Sequence, residues 1–514
     1  MNIFVVVFLL YLVFLIVLGF MAAKGGKDTA DDYYVAGRSM NKWVVAGTYG
    51  ASFMSAGTFI GQMGANYSTG WAQIWNFNAT LLPMLILAAF FAKKFWRIGY
   101  YYKARSMPDI IALRYPSKFT RGFYSILILV IYTVGMASMY LGIFTILSLV
   151  TNLSYMTCII IGAVAVLLYS LMGGARAVAW TDTACLVIMI FAIVVSVSVA
   201  LINSGGFTNL VTAYSQMPVP EGKPWVGGEE LVSSTNSYLS LSMIISFFLV
   251  WSMGNLSQPH QMTRVYLAKD EKAAISGVGL ILIPNCIILI GGLIISAYAR
   301  VNYPNLDKID YAFPSVVLGS LPSVVAALVL VGIVAAVLST ASTMLIISSQ
   351  CTGYDIYQKL INPKASDKTV VRISRVTMIV CTVVSILIAY FAQTVQGIFF
   401  LWSSAFAMMG AGVLPSLVGV FYWKRANSKA CLTSMVIGFT STAAMYIFPA
   451  LMPNWAVHPI LPGLILSVTA FVAVSLLTKR PDDEIIEMFF GERMKDPNRR
   501  VKQVSIVGAD SAGD

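Results

Sequence analysis

The chain has 514 residues, of which 58% are hydrophobic and 11% charged, and its mean hydropathy is +0.79. Those values exclude a soluble globular protein and define a polytopic membrane protein. The net charge of +12 is no signal for nucleic acid, because in a membrane protein charge has meaning only after it is placed on a topology.

Apolar runs near residues 3–23, 44–64, 74–92, 123–150, 156–173, 180–202, 238–256, 274–298, 322–346, 376–392, 398–422, 432–449 and 459–477 predict thirteen spans. The first has no basic segment ahead of it and no small-residue cleavage site, so a retained span is expected rather than a signal peptide. With the N-terminus outside, the inner loops collect Lys24, Arg38, the block Lys93 to Arg121, Arg264 to Lys272 and Lys359 to Arg375. Only Lys223, Arg300 and Lys308, three of the 34 basic residues, fall outside. The positive-inside rule then expects a bacterial inner-membrane protein with its N-terminus outside and its C-terminus in the cytoplasm.

The second run, Val44 to Gly64, is interrupted by Gly50, Ser52, Ser55, Gly57, Thr58, Gly61 and Gln62. A lipid-facing helix has no use for these residues, and irregular backbone survives at membrane depth only inside protein or around a cavity. The pattern predicts a broken helix of the kind that holds ions and solutes in secondary transporters. In the third run Trp75, Asn76 and Asn78 are candidate cavity residues, with interhelical packing as the plainer role. Between residues 93 and 123, Pro108 suits the first turn of a helix lying along the inner interface.

Asp182 is the single acidic residue within the predicted spans, where it costs roughly 2.5–3.5 kcal/mol at a helix centre. It is a candidate cation ligand or proton relay, against a structural pairing with Arg176. The connection 203–237 has the composition of a small outer cap. Trp251 and Trp402 are further cavity candidates, and His260 either titrates during a cycle or serves as a hydrogen-bonded structural group. In the ninth run Ser339, Thr340, Ser342 and Thr343 interrupt an apolar helix. Such hydroxyls can supply oxygen ligands to Na⁺, completed by carbonyls of the broken helix, or can bond back to their own helix.

The six cysteines, at 158, 185, 286, 351, 381 and 431, sit in or beside apolar runs without metal or redox spacing and read as packing residues. HExxH, Walker and nucleophile-elbow patterns are absent, so an enzyme is not expected. Residues 1–479 read as one transmembrane domain and 480–514 as a disordered tail.

The stretches Asp31 to Ser39, Gly50 to Gly64, Ser106 to Tyr115, Gly173 to Asp182, Gln258-Pro259-His260, Ala335 to Thr340 and Tyr422 to Asn427 together resemble the sodium:solute symporter family. The likeness covers nearly the whole chain. It implies an all-α leucine-transporter-like fold with two inverted five-helix repeats, approximately 44–203 and 238–422. It further implies a Na⁺ site formed by the carbonyls of Ala51, Met54 and Ala336 and the hydroxyls of Ser339 and Thr340. A second cation site around Asp182, with Ser339 and Ser342 near it, is also implied.

Phe53 stands where proline-type members carry an Asp, and Phe53, Thr58 and Phe77 stand where sugar-type members carry polar groups. Met54 to Gly61 and His458 to Pro462 are similar to the pantothenate and monocarboxylate branch. The expected function is Na⁺-coupled import of a small organic carboxylate by alternating access, with no nucleic-acid or obligate protein partner beyond the bilayer. Phe53, Ser55, Thr58, Asn76 and Trp251 are the candidate solute residues, helped by the positive end of the helix broken near Ser55 to Thr58. Proton coupling through Asp182, or Na⁺ symport of a sugar or amino acid, is the alternative. A channel, a sensor and a membrane enzyme are rival classes, disfavoured by the lack of an output domain and of a nucleophile–base set.

Overall fold

A computed structural model describes residues 3–26, 29–151, 153–237, 239–392, 398–453, 458–491 and 494. Eleven helices among the described residues are long and apolar enough to cross a membrane. They correspond to eleven of the thirteen apolar runs. The run 156–173 is represented by a shorter apolar helix, Tyr155–Leu168. The run 44–64 is divided, because its helix stops after 12 residues.

The elements that position the site are α1 (Ile3–Ala23), α2 (Lys42–Phe53), α3 (Met107–Arg114), α4 (Lys118–Val150), α5 (Tyr155–Asn203), α6 (Leu241–Leu249), α7 (Pro259–Tyr266), α8 (Ser323–Gln350) and α9 (Ile398–Tyr422). The sequence of α8 is apolar or small on every side, as a helix surrounded by others requires. Every residue from Val329 to Gln350 is buried, and α8 packs against α1, α2, α4 and α5.

The break in the second run has a local cause. Met54 is extended (φ −85°, ψ 119°). Ser55 then starts a new helix: its Oγ accepts from the Gly57 amide at 3.1 Å, and its carbonyl accepts from those of Thr58 and Phe59. The chain resumes as a π-helical turn, Gly57–Gln62, and continues through Met63–Thr69. A second break follows α6, which runs through the π-helical turn Val250–Gly254. At Gln258 the chain is extended (φ −76°, ψ 121°) before α7 begins on Pro259.

On one face the acidic and basic residues of the sequence motifs pair with one another. Arg176 reaches Asp32 at 2.7 Å and the Ala36 carbonyl at 3.1 Å, so its carboxylate partner is Asp32 and not Asp182. Arg121 bridges Asp109 (2.9 Å) and Asp355 (3.1 Å). Asp355 is fully buried on a π-helical continuation of α8, a second acidic residue at a place where hydropathy alone expects the span to have ended. Helix α3 is packed against the rest of the protein: Met107, Pro108, Ile110 and Ile111 are buried, and Arg114 donates to the carbonyls of Trp423 and Lys424.

Opposite this face, the connection 203–237 forms a cap. Trp225 packs edge-on against Tyr67, Val226 donates to the Ser68 carbonyl, and Arg300 holds the carbonyls of Pro218 and Val226. The start of the tail expected to be disordered is helical, α10 (Asp483–Phe490), and Phe489 is buried against Phe421. Residues 495–514 lie outside the described residues.

The kink in α5 falls at Gly174 (φ 58°, ψ −158°), a conformation that is almost confined to glycine. An added Cβ there meets the Tyr33 carbonyl oxygen at 2.5 Å. Gly174→Ala is expected to cost roughly 1–3 kcal/mol and lower Tm in detergent, whereas Gly279→Ala, where a Cβ meets nothing within 4 Å, leaves Tm unchanged or raises it. Equal Tm values for the two variants contradict this account of the kink.

Candidate ion and solute site

Because α2 ends at Phe53, the carbonyls of its last turn have no intrahelical partner and need another donor or a cation. They face α8. Ser339 Oγ lies 3.0 Å from the Ala51 carbonyl oxygen and 3.1 Å from that of Ala336, and Thr340 Oγ1 donates to the Met54 carbonyl at 3.1 Å. Five uncharged oxygens, of Ala51, Met54, Ala336, Ser339 and Thr340, thus lie along the contact of the break with α8 in two hydrogen-bonded sets, and all five residues are fully buried. Among the described residues no group of three His, Cys, Asp or Glu side chains could hold a metal. A neutral oxygen shell suits a hard monovalent cation.

One turn further along α8 lies a buried polar cluster. Asp182 Oδ2 accepts from Thr48 Oγ1 at 2.8 Å and from Arg264 Nη2 at 3.0 Å. Arg264 also contacts Ser52 Oγ through Nε (3.2 Å) and Nη2 (3.1 Å), and donates to Thr343. Ser342 does not join this cluster; its hydroxyl bonds back to the Ser339 carbonyl at 2.9 Å. His260 is held in place, with the Tyr132 hydroxyl 3.0 Å from its backbone nitrogen and 2.8 Å from Nδ1.

On the other side of the break, Phe53, Trp251, Trp402 and Phe406 enclose a narrow cleft whose polar lining is Thr58, Gln62, Thr80 and Asn255. In this conformation the cleft would hold about one water molecule. Of the candidate solute residues, Phe53, Thr58 and Trp251 line it. Ser55 and Asn76 do not: Ser55 caps the resumed helix, and Asn76 bonds to Gln73 one turn back. Trp75 is half-exposed and donates to the Ser234 carbonyl. The side chains of Phe77 and Asn78 lie outside the described residues.

Gln62, Thr80 and Asn255 escape sequence reading as lining residues, since single polar side chains in apolar runs give the same signal as packing groups. At the positive end of the resumed helix, the amides of Gly57, Thr58 and Phe59 are already bonded to Ser55. A second narrow cleft, lined by Tyr34, Thr263, Arg264, Thr343 and Gln350 among others, approaches the Asp182 cluster from the face of paired charges.

A broken apolar helix whose end carbonyls meet hydroxyls of a buried neighbour, beside an aromatic cleft, is an arrangement found in secondary transporters. The chain belongs to the Sodium:solute symporter family, whose profile matches residues 33–438. It is 28% identical over 457 residues to a sodium/pantothenate symporter of Haemophilus influenzae, covering 88% of this chain and 91% of that protein. It is 27% identical over 500 residues to a sodium/proline symporter of Escherichia coli, covering 94% and 95%. A Na⁺-coupled sialic acid symporter, solved in a substrate-bound outward-open state, superposes with a TM-score of 0.80 at 18% identity over 94% of this chain and 99% of that one. The shared fold is the expected all-helical, leucine-transporter-like one, in a multi-pass membrane protein whose family and structural neighbours are Na⁺-coupled transporters rather than enzymes.

Gly57 lets Trp402 lie directly on the resumed helix, since an added Cβ meets Trp402 Cδ1 at 2.5 Å. Gly57→Val is expected to displace the indole, abolish uptake and shift the tryptophan emission spectrum while the protein stays monodisperse in detergent. Wild-type uptake by this variant removes Trp402 from the working cleft.

Proposed function

We propose that the protein uses the Na⁺ gradient to import a small organic carboxylate, of the pantothenate or monocarboxylate kind, by alternating access. The observation that carries the reading is the pair of contacts from Ser339 to Ala51 and from Thr340 to Met54 across the α2–α8 boundary. Na⁺ is taken by the carbonyls of Ala51, Met54 and Ala336 and the hydroxyls of Ser339 and Thr340. Because these oxygens come from the end of α2, from the break and from α8, Na⁺ binding fixes the segment that also walls the cleft, and solute and ion each favour the other's binding.

The solute occupies the cleft among Phe53, Thr58, Gln62, Trp251, Asn255 and Trp402. Among the described residues no carboxylate lines that cleft, so it lacks an ionic partner for the ammonium of an amino acid, and its amides and hydroxyls suit amide and alcohol groups. A carboxylate is drawn by the dipole of the resumed helix and by the neighbouring Na⁺. Two of the relatives are sodium/pantothenate symporters and others carry proline. The breaks at Met54 and Gln258 each fall in the first span of the segments 44–203 and 238–422, in support of two inverted repeats. The charge distribution supports an N-terminus outside and a cytoplasmic C-terminus.

Proteoliposomes are expected to take up labelled pantothenate or a monocarboxylate faster under an inward Na⁺ gradient than under K⁺. Ser339→Ala with Thr340→Ala should raise the Na⁺ concentration for half-maximal uptake roughly tenfold or more, a loss of about 1.4 kcal/mol. Uptake indifferent to Na⁺ and driven by a pH gradient contradicts the proposal and favours proton coupling.

A further inference from the structure

We infer that Arg264 is a built-in second cation: its guanidinium fills the position beside Asp182 that a second ion would take, so the protein binds a single Na⁺. The inference rests on the sodium reading above. It starts from the buried cluster between α2, α5, α7 and α8.

Asp182 is fully buried and Arg264 nearly so, and the two form an ion pair at 3.0 Å. A second Na⁺ at this carboxylate needs several further oxygens, and the guanidinium already stands among those within reach. Thr48 donates to Asp182 itself, Ser52 donates to the Thr48 carbonyl at 2.6 Å, and Ser52 and Thr343 both receive the guanidinium. Ser342 is turned back onto its own helix. Asp182 Oδ1 has no hydrogen-bond partner among the described residues, so the carboxylate meets the guanidinium through Oδ2. The guanidinium carries only donors and keeps its charge at any physiological pH. It therefore neutralises the carboxylate and repels a mobile cation from the same place.

The tethered cation also braces the Na⁺ site. Ser52 follows Ala51 in the chain, and the Thr343 hydroxyl rests on the Ser339 carbonyl at 2.9 Å. Arg264 thus holds one neighbour of each wall, reaching from α7 to the end of α2 and to α8. The second cation remains in the protein through the transport cycle, and each cycle carries the charge of one Na⁺ plus that of the solute.

Equilibrium binding of radiolabelled Na⁺ to the purified full-length chain in detergent tests this without knowledge of the solute. Wild type is expected to bind one Na⁺ per chain with a Hill coefficient of one. Ser339→Ala with Thr340→Ala should weaken that binding roughly tenfold or more, and Asp182→Asn should leave the count at one. Arg264→Gln, which strips the carboxylate of its partner, should raise the count towards two, and the extra ion should vanish in Arg264→Gln with Asp182→Asn. Two ions on wild type, one of them lost in Asp182→Asn, overturn the inference while leaving the sodium reading intact. No Na⁺ binding, or binding indifferent to Ser339 and Thr340, removes the sodium reading and this inference with it. If Arg264→Gln does not fold, the wild-type count decides alone: one supports the inference and two overturn it.

Discussion

A main chain that leaves its helix inside a membrane must find partners for the peptide groups it frees, because hydrocarbon offers none. At Met54 the chain does this, and the surrounding structure follows from that demand. The loose carbonyls of Ala51 and Met54 turn to the hydroxyls of α8, while Ser55 takes the amides of the next helical turn. Helix α8 is correspondingly buried from Val329 onwards, since a helix that supplies hydroxyls to a break must itself be enclosed. The small residues of the second run serve close approach as much as flexibility: Gly50 admits Ile281, and Gly57 admits Trp402.

Around this centre, charges are used in pairs. Arg264 with Asp182, Arg176 with Asp32, and Arg121 with Asp109 and Asp355 each join elements far apart in sequence. Buried ion pairs of this type add little net stability against an apolar alternative, but removing one partner is costly because the other is left uncompensated. Their value lies in fixing which elements lie together. The Arg121 bridge in this way ties α3 to the continuation of α8.

Much of the site was legible because its signals are local. Hydroxyls at 339 and 340 in an apolar helix, and Gly and Ser within a membrane-length run, are anomalies visible without any fold. The family resemblance then supplied the pairing of Ala51 and Met54 with α8. Other residues were hidden for a physical reason. In sequence Arg264 is a basic residue at the end of a span and reads as a topology signal; in the fold the chain turns at the extended Gln258, and α7, which carries Arg264, is buried along its whole length. Arg176 is closer to Asp182 in sequence than Arg264 is, yet the kink at Gly174 carries it to Asp32. Asp355 was missed because mean hydropathy falls at Ser348-Ser349-Gln350 while the helix continues. Gln62, Thr80 and Asn255 converge on the cleft only through tertiary packing.

The central claim is that the break at Met54 is where sodium acts on the protein. Hydrogen–deuterium exchange of the segment 50–64, compared in equal concentrations of NaCl and KCl, reads that directly. Bridging of Ala51 and Met54 to α8 by Na⁺ predicts slower exchange of these amides in Na⁺, with the difference lost when Ser339 and Thr340 are both alanine. Identical exchange in the two salts at this segment, with a sodium effect elsewhere in the chain, contradicts it.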